Sequence, residues 1–252
     1  MSSKNILYLI FTAVLIVSGS FACKKNDSGG VVTDNNSGVG ASANALLSED
    51  YYEKIVVEVM YMPGFAPTQS SLNNLRNFLL NHTNKPLGVD VISREINSSG
   101  QTTYSMADIQ SLENSNRQYF NEGKTITTSM IIVDGEYATN DQVLGVAYKN
   151  TSTVIFGKTI HDNSGGLSQP TRTKLESTVF NHEFGHLLGL VDIGSPMVNN
   201  HEDPGHESHC DNDNCLMYYA SQTTEITSFL LGSDIPELDQ NCKNDLIANG
   251  GK

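Results

Sequence analysis

His182-Glu183-Phe184-Gly185-His186-Leu187-Leu188-Gly189 is the stretch on which the reading of this chain turns. Positions i and i+4 of a helix lie nearly above one another, so imidazoles at 182 and 186 reach one metal ion from the same face. Glu183 is rotated from His182 by about 100° on the 3.6-residue period, where it addresses a metal-bound water instead of the metal. Two neutral nitrogen ligands with a carboxylate alongside are the equipment of a zinc site that hydrolyses with water. Gly189 lets the chain leave the helix in the left-handed conformation, so a third ligand has to come from the segment that follows. The bland alternative is a helix with two surface histidines and a glycine cap.

Working outward, the pattern alternates before it reaches this helix. Lys54 to Met62 is β-branched and alternating, a strand ended by Pro63-Gly64. Thr68 or Ser70 caps a helix carrying Leu72, Leu75, Phe78 and Leu79 on one face. A second strand is expected over Val89–Ile96 and a second helix over Ser105–Phe120. Short strands follow at Thr127–Val133, Val143–Tyr148 and Thr153–Phe156, and the histidine-bearing helix is expected from near Pro170 to Gly189. Phe184, Leu187 and Leu188 fall on other faces than the two histidines, so one side of that helix is expected to bury and another to present ligands. Strands and helices before a single metal-bearing helix give an α+β fold: an α/β sandwich with a mixed sheet, then a loop-rich C-terminal part.

The whole chain of 252 residues has a formal net charge of −13 and no tryptophan. Such a charge argues against nucleic acid or anionic lipid as a partner. Lys4 and the apolar run Ile6–Val17 read as a signal peptide over residues 1–22, the run being too short to span a bilayer comfortably. Ser20-x-Ala22 suits ordinary signal peptidase, whereas Ala22-Cys23 resembles a loosened bacterial lipobox in which Cys23 is lipidated. Residues 23–48, rich in Ser, Gly, Asn and Asp, read as the anchor site and a flexible tether, leaving 49–252 as one domain. The expectation is a monomeric lipoprotein on a bacterial outer membrane or cell surface, held through the lipid on Cys23, with a secreted protein as the alternative.

The extended His-Glu-x-x-His-x-x-Gly string resembles that of the metzincin metallopeptidases. Their signature continues to a His, less often an Asp, three residues after the glycine, with a methionine turn downstream. At that spacing this chain has Asp192. A second stretch, His209-Cys210-x4-Cys215-x-Met217, is similar to the part of archaemetzincins in which the third zinc histidine is followed at once by Cys, then x4-Cys-x-Met. There it directly follows the glycine; here Leu190–Ser208 intervenes as an inserted loop. The resemblance therefore implies two candidates for the third ligand, Asp192 by spacing and His209 by its neighbours, with His209 preferred because an all-imidazole shell leaves zinc more electrophilic. It also implies that Met217 packs beneath the metal, where the bland reading is an ordinary core methionine. Tyr219 then takes the place of a tyrosine that hydrogen-bonds a developing oxyanion. His201 and His206 read as solvated loop histidines.

Cys210, Cys215 and Cys242 leave an odd count once Cys23 is lipidated. One disulfide, Cys210–Cys215 or Cys215–Cys242, is preferred to a structural Zn2+, which would need a fourth ligand from elsewhere. A Ca2+ held by the acidic residues of His201-Glu202-Asp203 and the Asp211–Asn214 run is a further reading. The composite expectation is a zinc endopeptidase acting on protein or peptide substrates: His182, His186 and His209 or Asp192 hold one catalytic Zn2+, and Glu183 is the general base. The rival is a surface-binding lipoprotein that keeps zinc without hydrolysing anything.

Overall fold

The computed structural model describes residues 34–231 and 234–252. The signal peptide and Cys23 lie outside the described residues. The strand β1 (Lys54–Tyr61) is the middle of a parallel set with β2 (Val89–Glu95) on one side and β4 (Thr125–Val133) on the other. The five-stranded sheet has the order β2-β1-β4-β7-β6, completed by β7 (Ser152–Phe156) parallel to β4 and by β6 (Gly145–Lys149), antiparallel at the edge.

Alternation along β1 sends Ile55, Val57 and Val59 to one face and Met60 to the other, as the two-residue strand period requires. The first face carries the larger core. Helix α2 (Gln69–His82) lays Leu72, Leu75, Phe78 and Leu79 on it, with Thr68 as the N-cap accepting from the Ser71 amide. On the opposite face, α3 (Met106–Asn116) starts at a capping box of Ser105 and Asp108 and buries Ile109 with Tyr104, Met62 and Phe156. Glu58 of β1 is fully buried there, bound by Arg94 and by the amides of Gln118 and Tyr119. A short pair, β3 (Thr103–Tyr104) and β5 (Glu136–Tyr137), closes the rim.

The expected α+β sandwich with its mixed sheet is the observed fold. One boundary moves. The tether read over residues 23–48 ends sooner, because α1 (Ala43–Leu47) buries Ala43, Ala45, Leu46 and Leu47 in the main core. Lys85 reaches under that segment, its Nζ donating to the carbonyls of Ala45, Ser48 and Tyr52. Composition misled here: few large apolar side chains are needed when two adjacent leucines and two alanines fit an existing core. After β7 the chain adds α4 (Gly157–Asp162), the long α5 (Arg172–Leu187), α6 (Ile226–Leu230) and α7 (Gln240–Ala248).

Candidate metal centre

Helix α5 begins at Thr171, whose side chain accepts from the Lys174 amide, directly after Pro170. Every residue from Leu175 to Leu187 is buried, so the helix is enclosed on all sides rather than on the one expected side. Glu176 ties it to α2 by accepting from the Thr68 amide and the Ser71 hydroxyl. At its other end the Leu190 amide bonds the Gly185 carbonyl and the Gly189 amide bonds the His186 carbonyl, with Gly189 at φ 79°. This is the paired closure of a glycine-capped helix. A Cβ on Gly189 would meet the Ala43 Cβ at 2.6 Å, so only glycine serves.

Val191 and Asp192 also take left-handed φ, 55° and 63°. The chain therefore keeps turning after the cap and leaves Asp192 exposed, in no cluster of potential ligands among the described residues. The spacing that favoured Asp192 assumes one left-handed residue after the helix, and here there are three in four. His209 is the residue that joins His182 and His186: one ligand atom from each lies within 4.8 Å of the others, and all three residues are buried.

The ring orientations have local causes. His182 Nδ1–H donates to the Leu216 carbonyl at 2.8 Å, and His209 Nδ1–H donates to the Glu207 carbonyl at 2.9 Å. Each bond assigns the proton to Nδ1 and leaves Nε2 as a bare lone pair, as metal-binding imidazoles require. The Nε2 atoms of His182 and His186 stand 3.1 Å apart, and His209 Nε2 is buried without a partner. Two nitrogens bound tetrahedrally to zinc at about 2.05 Å would stand about 3.3 Å apart, so the set fits that ion. Burial, with His209 next to it, pushes His182 down to about 3. Burial and the other two imidazoles hold His186 well below its ordinary value, and burial lowers His209. Neutral imidazoles are the ligating form.

Glu183 is fully buried, and neither carboxylate oxygen has a hydrogen-bond partner of good geometry. Burial pushes it up to about 8, opposed by the Ala147 amide approaching from β6. Gly145 at the start of β6 makes room, since a Cβ there would lie 2.9 Å from Glu183 Oε1. Met217 is fully buried against the same helix: a Cβ on Gly185 would sit 2.3 Å from its Sδ. The methionine thus fills the hollow between the two histidine turns. Tyr219 differs from expectation. Its hydroxyl donates to Glu225 at 2.9 Å, and its ring stacks on His206 at 3.6 Å between centroids.

A second cluster forms around the cysteines, for which a structural Zn2+ is the alternative to a disulfide. His201, Cys210, Asp239 and Cys242 also bring ligand atoms within 4.8 Å of one another. Cys215 adjoins them, its Sγ 3.6 Å from that of Cys242. His201 is not the solvated histidine its loop suggested: it is 1% exposed, with Nε2 2.8 Å from Asp245 Oδ2 and Nδ1 3.4 Å from Cys210 Sγ. The odd cysteine count and the structural Zn2+ alternative for the three cysteines point here, but not to His201 as a member. All three cysteines are free thiols, so the preferred disulfide is not formed. Hydrogen bonds from Cys210 and Cys242, with those of the Asp239 and Met217 amides, bring Cys215 down to about 4. The calcium reading fares worse, because the loop's acidic groups serve its own turns: Asp203 accepts from the Gly205 amide and from His206, and Glu202 from the Ser208 amide.

Among solved structures, the archaemetzincin from Methanopyrus kandleri matches with a TM-score of 0.51 at 15% identity, over 79% of this chain and 96% of that one. Metalloproteinase-II from Bacteroides fragilis matches with a TM-score of 0.42 at 14% identity, over 80% of this chain and 54% of that one. No family model and no curated protein matches the chain. The chain shares its fold with the archaemetzincin structure.

Proposed function

We propose that this chain is a zinc-dependent endopeptidase of the metzincin type, with His182, His186 and His209 as the metal ligands and Glu183 as the general base. The observation that carries the reading is the convergence of three buried, neutral imidazoles, with the buried Glu183 carboxylate on the same helix lacking a hydrogen-bond partner of good geometry. Zinc, when bound, polarises a carbonyl and acidifies a water. The chain's own residues supply the rest. Glu183, whose buried carboxylate oxygens have no hydrogen-bond partner of good geometry, accepts a proton from the attacking water and returns it to the leaving amine. Gly145 and the edge strand β6 wall the carboxylate from one side, while Leu216 and Glu207 hold two ligand rings in place through their carbonyls.

A second, structural zinc is part of the proposal, held by Cys210, Cys215, Cys242 and His201. Two sulfurs on one tetrahedral zinc stand about 3.8 Å apart, close to the 3.6 Å between Cys215 and Cys242. Asp245 orients His201 in the manner of a carboxylate behind a metal-bound imidazole. This site would brace the methionine segment, since the Cys210 amide bonds the Met217 carbonyl and the Met217 amide points at Cys215 Sγ. We also propose that Cys23 carries a lipid that tethers the domain at the outer membrane or cell surface, a reading that fails if Cys23→Ala leaves membrane fractionation unchanged.

The test is metal content with cleavage. Purified full chain should hold two zinc ions and cleave unfolded protein substrates, with activity abolished by a chelator and restored by zinc. His201→Ala should drop the stoichiometry to one. A chain that binds no zinc under metal-replete conditions overturns the proposal.

A further inference from the structure

Asp213 and residues of the segment after Met217 line a cleft of about 330 Å³, joined to the metal centre through His206, which stacks on Tyr219 and whose carbonyl accepts from the His209 amide. The turn that forms it adjoins β6, the Leu144 amide bonding the Gln222 carbonyl, and Tyr219 stacks on His206, three residues before His209. Its walls are aromatic and acidic. Tyr218, Tyr219 and Phe229 supply rings, Asp213 and Glu225 supply carboxylates, and among the described residues no lysine or arginine lines it. Tyr219 is fixed in it: His206 covers one face of the ring at an interplanar angle of 8°, and Glu225 holds the hydroxyl. Tyr218 stands tilted at 58° with its centroid 4.7 Å away.

Aromatic faces next to carboxylates form a receptor for a cation, combining the ring quadrupole with direct charge attraction. A chain of net charge −13 also draws cationic ligands toward its surface. A neutral aliphatic side chain would gain apolar contact with the rings and Ile226 but would leave both carboxylates facing it. Resting on the peptidase reading above, we infer that this cleft receives a lysine or arginine side chain of the substrate, so that cleavage is directed to peptides with a basic residue close to the scissile bond.

The test uses matched peptides in which arginine or citrulline, alike in shape and differing in charge, is scanned through the positions flanking a cleaved bond. At one position the zinc-loaded chain should cleave the arginine peptide with kcat/KM about tenfold above its citrulline partner. Asp213→Asn with Glu225→Gln should bring that ratio close to one, since Gln still accepts the Tyr219 hydroxyl and only charge is lost. Binding of the same pairs to zinc-loaded Glu183→Ala, followed by calorimetry, gives a readout independent of turnover. Tighter binding of arginine without any cleavage upholds the cleft and overturns the peptidase reading. Cleavage or binding that ignores the charge, or a ratio that survives the double variant, overturns the cleft.

Discussion

Gly185→Ala isolates the packing that holds the metal helix against the methionine segment. The new Cβ would lie 2.3 Å from Met217 Sδ and 3.1 Å from its Cε, where ordinary contact is about 3.8 Å. Met217 is fully buried and Leu190 closes the hollow at 3.5 Å, so the thioether has nowhere to retreat without moving its backbone. Overpacking of this kind costs roughly 1–3 kcal/mol. Replacing glycine inside a helix returns about 1 kcal/mol, leaving a net loss of up to about 2 kcal/mol. For a domain of this size that lowers Tm by up to about 8 °C. The Leu216 carbonyl, next in sequence, fixes the His182 ring, so zinc affinity should also fall, by about tenfold. Urea unfolding of the chelated protein and zinc competition against a chromophoric chelator read the two effects separately. Gly185→Ala combined with Met217→Ala removes the overlap and should cost less than the sum of the single changes by about 1 kcal/mol. Strict additivity, or a Gly185→Ala protein more stable than its parent, would refute the argument.

Three further outcomes are expected. Asp192→Ala should keep the catalytic zinc and His209→Ala should lose it, measured as metal per chain after gel filtration; the reverse result restores the ligand that spacing favoured. A chain of residues 49–252 should be less stable to urea than one of residues 34–252 by at least about 3 kcal/mol, because Leu46 and Leu47 leave the core; equal midpoints would return residues 34–48 to the tether. Tyr104 is pushed up to about 12 by burial and by its hydrogen bond to Asp134. Its folded proton affinity exceeds the unfolded one, so its contribution is complete below pH 10 and is lost as pH rises towards 12. Relative to Tyr104→Phe, the parent should lose of order 2 kcal/mol across that window, and parallel pH profiles would contradict it.

Local features were legible in the sequence, and those joined across long separations were not. The Thr68 cap, one of the two candidates, the strand runs of β1 and β4, and the pairing of His182 with His186 all follow from residues within one or two turns. Asp192 was weighed from a spacing rule that presumes backbone geometry, and two successive left-handed residues after Leu190 defeat it. His201 reads as a polar loop residue until Asp245, 44 positions on, is folded against it. Helix α7, with Gln, Asn, Lys and Asp over most of its length, offers only Cys242, Asp245 and Leu246 to the interior, too few for a helical period to stand out.

The central claim is that Glu183 moves the proton for peptide hydrolysis at a zinc held by three histidines. It is tested most directly by comparing the parent with Glu183→Gln at matched zinc content on an unfolded protein substrate. Glutamine keeps the shape and fills the same buried space, but it cannot accept the proton. The account predicts equal zinc per chain and a cleavage rate lower by at least about 100-fold. A variant that cleaves as fast as its parent would contradict it.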